Sequence, residues 1–350
     1  MPARDTRRGR FAAVMTVLAV ALVVGVVVSA AIGQFPVAVT EVIGSLLSRI
    51  GIHTDWAPVE ELKDQALWQI RFPRIAMAVL VGATLAIAGC VMQAIFGNPL
   101  AEPGVVGVSS GAALGAALAI VTGLTLAGAA GVALFAFAGG VAATLLVYAT
   151  ARANGRTEVV TLLLTGIAIN AFAGAGLALM IFMADAASRE QIIFWQLGSL
   201  NGSRWSEVAI VAVLGVAGSA VAFANGRRYD LLALGERTAG HLGVRVERLR
   251  ILSIVVVAIL TGAAVAYVGI IAFVGLVVPH ALRMVMGPGH RALLPASALG
   301  GAVLIVFADV IARTAVTGAE LPIGLITSLI GGPFFFFLLR RARSSQGGWA

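Results

Sequence analysis

Long apolar runs alternate with short polar breaks along this chain. Residues 11–32, 75–96, 104–150, 159–183, 208–224, 251–286, 292–311 and 323–339 are nearly free of charge. A helix needs about 20 apolar residues to cross a bilayer. Six of the runs suit one crossing each. The runs 104–150 and 251–286 are too long for one and split near residues 123–128 and at Gly269. The pattern therefore predicts ten spans: 11–32, 75–96, two within 104–150, 159–183, 208–224, two within 251–286, 292–311 and 323–339.

The stretch from Arg71 to Gly111 shows the punctuation most clearly. Arg71 and Arg74 flank Pro73 at the mouth of span 2. Proline suits a helix start, because its φ is already helical and its missing N–H has no partner there. Span 2 ends in the polar turn Asn98-Pro99-Leu100-Ala101-Glu102-Pro103, whose prolines break the helix before span 3.

Composition turns these runs into a membrane assignment. The 350 residues are 60% hydrophobic and 11% charged, with mean hydropathy +1.00. A soluble domain is roughly 25% charged, so this chain cannot cover a water-facing surface, and it reads as an all-α polytopic membrane protein. Residues 11–32 exceed the usual ~7–15-residue core of a signal peptide and read as a retained first span. The net charge of +8 is nearly all arginine, dispersed between apolar runs, which fits the positive-inside rule and not nucleic-acid binding. With ten spans both termini share a side. That side collects 17 of the 24 basic residues, so the termini are expected in the cytoplasm. The chain is expected to be a single transmembrane domain over 1–350, with basic tails at 1–10 and 340–350 and its longest cytoplasmic loop at 225–250.

Several chemistries are missing. Cys90 is the single cysteine, so no intrachain disulfide or cysteine metal site is possible. His53, His241, His280 and His290 lack metal-ligand spacing. His280 reads as a polar packing residue, with haem or iron ligation as the alternative. Asp309 is the main acid inside the spans, too few for an ion-coupled carrier. A phosphate-binding loop needs Gly-x-x-x-x-Gly-Lys, and Lys63, the only lysine, has no glycines around it. If transport is ATP-driven, the ATPase is another chain. In the 225–250 loop, Leu231, Leu234, Thr238 and Leu242 share one helical face, suited to lying on lipid, packing on the bundle or docking a partner. Gly107, Gly111 and Gly115 in span 3 allow close helix approach.

The chain resembles the FecCD-type permeases, the membrane subunits of ABC importers for ferric siderophores, haem and cobalamin. The matching segments are RFPR at 71–74, LVGATLAIAGCVMQ at 80–93, NPLAEPGVVGVSSGA at 98–112, FWQLGSLNG at 194–202, LGERTAGHLGV at 234–244, FVGLVVPHALR at 273–283, ADVIAR at 308–313 and ELPIG at 320–324. The resemblance implies the type II ABC importer fold, with spans 2–5 and 7–10 forming an inverted repeat. It implies a second permease copy (the same chain or a paralogue), two cytoplasmic ATPases that hold the ATP and magnesium, and an extracytoplasmic substrate-binding protein. No cofactor, metal or catalytic residue is implied for the chain itself. Arg71, Arg74 and Arg313 match arginines that meet glutamates of the binding protein, although Asp309, four residues before Arg313, offers that arginine a partner within the span. Leu234, Gly235, Glu236, Arg237, Thr238, Ala239, Gly240, His241, Leu242 and Gly243 match the coupling helix that seats in the ATPase. Asn98, Leu100 and Thr157 match the cytoplasmic gate. The expected cargo is an iron chelate, either a ferric siderophore or haem, moved across the cytoplasmic membrane by alternating access. Cobalamin import is the alternative, and a passive channel a more distant one.

Overall fold

The computed structural model describes the backbone of residues 2–33, 36–124, 129–153 and 156–345, and the side chains there except at 2–8, 129, 153, 156, 338–339 and 341–345. The arginines at 4, 7 and 8, Arg156, Arg341 and Arg343 thus lie outside the described side chains. The described residues are mainly helical, with short loops and one hairpin of two two-residue strands.

The elements in order are α1 (Pro2–Ala31), α2 (Val39–Arg49), α3 (Glu61–Ala66), a π turn (Leu67–Arg71), α4 (Phe72–Phe96), a 3-10 turn (Pro103–Val106), α5 (Val108–Val121) and α6 (Ala129–Ala151). The hairpin β1 (Arg152–Ala153) and β2 (Arg156–Thr157) precedes α7 (Val159–Met183), α8 (Ala186–Leu197) and α9 (Trp205–Ala224). Two short helices follow, α10 (Gly226–Leu232) and α11 (Glu236–His241), then α12 (Val246–Val268), α13 (Val274–Met286), α14 (His290–Thr314) and α15 (Ile323–Ser345).

Among the described residues, seven helices are long and apolar enough to cross a membrane: Gly9–Ala31, Glu61–Phe96, Ala130–Ala151, Val159–Met183, Trp205–Ala224, Val246–Val268 and His290–Thr314. Two shorter apolar helices accompany them, at Val108–Val121 and Val274–Met286, and the described side chains of α15 are apolar over Ile323–Phe337. Both long runs split where the sequence indicated. The second split is Gly269, whose φ of 72° ends α12; a side chain there would strike the Trp195 carbonyl.

Helices α4, α12 and α14 form the centre. Small residues bring their backbones together: a methyl group at Gly82 would overlap the Gly301 carbonyl of α14, and one at Gly89 the Gly275 carbonyl of α13. Such close approach replaces the hydrophobic effect between membrane helices. Gln93 extends the α4–α13 contact, donating to the Gly275 and Leu276 carbonyls at 3.4 and 3.3 Å and accepting from Arg283 at 3.2 Å.

Helices α5 and α13, of 14 and 13 residues, are each about 20 Å long. That is short of the ~30 Å hydrocarbon layer. Non-helical backbone leads into both, and each helix begins at a left-handed residue: Gly107 with φ 83° and Phe273 with φ 68°. Irregular backbone at this depth is tolerated only when protein surrounds it. Ser199 N–H donating to the Val268 carbonyl at 2.8 Å, and Ile323 N–H to that of Gly198 at 3.0 Å, supply that surrounding beside α13. One consequence differs from the sequence reading. Glu102 borders a cavity of about 140 Å³ with Leu85, which lies halfway along α4, and with Thr261 and Phe273, so Asp309 is not the one acid set among the apolar helices.

Helices α2 and α3 were not anticipated. They cover one end of the bundle, where Lys63 pairs with Glu41 at 3.0 Å. There Trp205 donates to the Trp68 carbonyl at 2.8 Å and Arg49 lies 4.9 Å over the Trp68 ring. Indole rings at a span mouth suit the membrane–water boundary.

Candidate functional site

Polar side chains concentrate at the two ends of the bundle, and each end is a connected network. At the first, α4, α14 and the end of α1 meet. The Arg74 guanidinium is buried and binds Asp309 at 2.9 Å and Glu320 at 3.1 Å. Arg313 binds the same Asp309 at 3.1 Å, and also Ser29 Oγ at 2.7 Å and the Ile32 carbonyl at 3.1 Å. Arg71, equally buried, donates to the Ala30 carbonyl and, at 3.2 Å, to that of Ala31. The three arginines therefore converge, although 242 residues separate the first from the last in sequence. They line a hollow of about 220 Å³ with Gly33, Ile70 and Glu320. A buried arginine needs this many acceptors, because a charge removed from water is costly unless paired and hydrogen-bonded.

At the other end the central element is the first turn of α12. Glu247 and Arg250 stand one turn apart on one helix face. Glu247 accepts from Thr157 Oγ1 at 2.6 Å, Thr157 N–H at 3.2 Å and Tyr148 Oη at 3.2 Å. Arg250, also buried, donates to the Thr157 carbonyl at 2.8 Å and to Glu236 at 2.6 Å. All three backbone and side-chain polar groups of Thr157 are thus held by α12. The same guanidinium reaches the first turn of α11, so α11, α12 and the 152–157 hairpin move as one unit or break a charged bond. They enclose an open hollow of about 640 Å³. Sequence reading singled out Thr157 and Glu236 but not Glu247 or Arg250. An acid and a base three residues apart at the mouth of a span was the available signal.

The helix expected over residues 234–243 is shorter than the pattern suggests. Gly235, with φ 99°, interrupts it, so α10 ends at Leu232 and α11 covers only Glu236–His241. Leu231, Leu234, Thr238 and Leu242 therefore do not share one continuous face. Leu231 is half-buried, whereas Leu234 and Leu242 stand exposed on either side of α11. Helix α10 is anchored below: Tyr229 Oη lies 2.9 Å from Ser253 Oγ, and Asp230 caps α14 by accepting the His290 N–H at 2.5 Å and facing its ring Nδ1 at 3.1 Å.

Asn98 makes a local turn, accepting the Leu100 N–H at 2.9 Å, and His280 Nδ1 lies 3.4 Å from the Pro99 carbonyl. Asn98 and Leu100 make no hydrogen bond to Thr157 among the described residues. Nor do three or more His, Cys, Asp or Glu side chains cluster in metal-binding geometry among the described residues.

Relatives of known kind match most of the chain. It is 46% identical over 282 residues to the cobalamin import system permease protein BtuC of Halobacterium salinarum, covering 81% of this chain and 75% of that one. It is 42% identical over 294 residues to the hemin transport system permease protein HmuU of Yersinia pestis, covering 81% and 87%. A solved metal-chelate-type ABC transporter in an inward-facing conformation superposes with TM-score 0.81 at 32% identity, covering 93% of this chain and 97% of that one. The FecCD transport family matches residues 21–341. This chain is a multi-pass membrane protein and belongs to the FecCD transport family.

Proposed function

We propose that the chain is the permease subunit of an ATP-driven importer that carries an iron chelate, a ferric siderophore or haem, across the cytoplasmic membrane. The observation that carries this reading is the bonded path from α11 through Glu236 and Arg250 to Thr157. It gives a partner pressing on α11 a direct hold on the hairpin that leads into α7.

In this reading the ten apolar helices are ten spans. The seven long ones and α15, of 23 residues, cross alone; α5 and α13 cross with help from their lead-in segments. Helices α4–α7 and α12–α15 form the inverted repeat, supported by the left-handed starts of both α5 and α13. Discontinuous helices at matching positions of two inverted halves are how transporters build a midplane path. The Arg250 end faces the cytoplasm, with both termini, because it carries the excess of arginine. ATPase subunits that bind ATP and magnesium dock on Leu234–Gly243. Thr157, Asn98 and Leu100 form the inner gate together with their counterparts in a second permease copy. Much of α7 is exposed, including Val160, Leu164, Ile167 and Phe172, and offers that copy a broad apolar face. At the outer face, the hollow lined by Arg71, Arg74 and Arg313 is the dock for an acidic binding protein, whose carboxylates would compete with Glu320 at its rim for the guanidinium fork.

Cobalamin is the second reading, favoured by the 46% identical relative. The absorption spectrum of the ligand held by the cognate binding protein separates the two: a Soret band or ferric-siderophore charge-transfer band supports the first, a corrin spectrum the second. Docking is tested by cysteine crosslinking. Cys90 is buried, so a Thr238→Cys variant presents one accessible thiol. A crosslink from it to the ATPase is expected, and none from Thr238→Cys, Leu234→Cys or Leu242→Cys would refute the docking.

A further inference from the structure

A third polar feature lies beside the coupling network and takes no part in it. Where α9 ends and α12 begins, Arg228, Arg245 and Arg248 surround a hollow of about 300 Å³ floored by Leu249 and Leu252. The neighbouring carboxylates are committed elsewhere: Asp230 to His290, Glu236 to Arg250, and Glu247 to Thr157 and Tyr148. Asn225 steadies Arg228, accepting from its Nη1 at 2.6 Å while donating to the Val221 carbonyl at 2.8 Å. No carboxylate pairs with Arg228, Arg245 or Arg248 among the described residues. The positive-inside rule accounts for arginines at this end, but not for three of them around one concavity without an acid.

What lies below the hollow identifies what would fill it. Helices α9 and α12 pack side by side. Leu252 on α12 lines the hollow and is exposed, and within a turn of its lining residues Asn225 and Leu252 stand two more exposed apolar side chains, Phe223 on α9 and Val255 on α12. Both helices are long and apolar enough to cross a membrane, so their shared end sits at headgroup depth with an apolar groove beneath it. A cationic cup over a hydrocarbon-facing groove matches an anionic phospholipid, with the phosphate among the arginines and the acyl chains along α9 and α12. The first-turn N–H groups of α12 point the same way and add the positive end of a helix.

We infer that Arg228, Arg245 and Arg248 form a binding site for the headgroup of an anionic phospholipid at the α9–α12 junction. The site depends on the chain spanning a membrane and not on what it transports.

The test is native mass spectrometry of the permease, alone and with its ATPase, released from nanodiscs of equal phosphatidylglycerol and phosphatidylcholine. Preferential retention of phosphatidylglycerol is expected in both forms. A basic residue near the surface is worth about fivefold in anionic-lipid binding. Substituting all three, as Arg228→Gln, Arg245→Gln and Arg248→Gln, should therefore lower the preference on the order of 100-fold, while Arg227→Gln leaves it unchanged. If the triple variant fails to assemble, Arg245→Gln and Arg248→Gln singly should each lower it about fivefold. Equal retention in all variants overturns the inference. Displacement by millimolar inorganic phosphate makes it a free-anion site and also overturns it. Loss of the lipid when the ATPase binds assigns the arginines to that interface and overturns it as well.

Discussion

Replacing Arg250 by alanine cuts the path from α11 to the 152–157 hairpin while leaving the hairpin's other ties in place. The guanidinium is buried and makes two short bonds, 2.8 Å to the Thr157 carbonyl and 2.6 Å to Glu236. A hydrogen bond to a charged donor contributes about 1.5–3 kcal/mol. The Glu236 side chain is 59% exposed, so water screens that pair and it adds at most about 1 kcal/mol. The link is therefore worth about 2–4 kcal/mol. Thr157 keeps its two bonds to Glu247, so the hairpin stays seated on α12 but no longer on α11. At 1.36 kcal/mol per tenfold, full use of the link in transport makes the variant roughly 30- to 1,000-fold less effective at converting hydrolysis into uptake. The assay is the ratio of substrate imported to ATP hydrolysed, measured in proteoliposomes containing the permease, its ATPase and its binding protein. Hydrolysis should persist in Arg250→Ala while the ratio falls at least tenfold. Arg250→Lys, with charge but no fork, should fall between. An unchanged ratio in Arg250→Ala would refute the path.

Three further variants test the ion pairs at the two ends. Arg74→Glu sets a third carboxylate against Asp309 and Glu320 and should cost about 3–5 kcal/mol, seen as loss of folded protein on size exclusion; Glu320→Gln, at the rim, should fold normally and, on the proposed docking role of the arginines, strengthen capture of a binding protein. Burial pushes the Asp230 carboxyl up, but its bonds from the His290 ring and backbone outweigh this and hold it below the usual carboxylate range. A depressed value in the folded state means the stabilisation is complete above about pH 4 and is lost as pH falls through the folded value. Asp230→Ala should therefore cost about 1 kcal/mol near neutrality, with the gap in melting temperature to wild type closing below about pH 4.

The span pattern was legible because its determinants are local. Helix α7 occupies Val159–Met183, the same residues as its apolar run, since Glu158 and Ala184 bound it on both sides. The breaks at Gly269 and before α5 follow from glycine and proline chemistry visible in the sequence. The networks were less legible because their partners are distant. Arg74 meets Asp309 across 235 positions, and Arg250 meets Thr157 across 93. Charge placement put Arg71 and Arg74 at a span mouth, yet their burial depends on the end of α1 and on α14, which no local pattern reveals. Helical periodicity read residues 231–242 as one face and missed that Gly235 breaks it. The turn at Asn98–Pro103 looked like a surface connection; only the folded chain carries Glu102 back beside Leu85.

Import itself tests the account most directly. Proteoliposomes containing this permease and its ATPase, supplied with the loaded binding protein on the outside, should accumulate the chelate only when ATP and magnesium are enclosed. Accumulation at the same rate without nucleotide would contradict a coupled importer and leave a passive channel in its place.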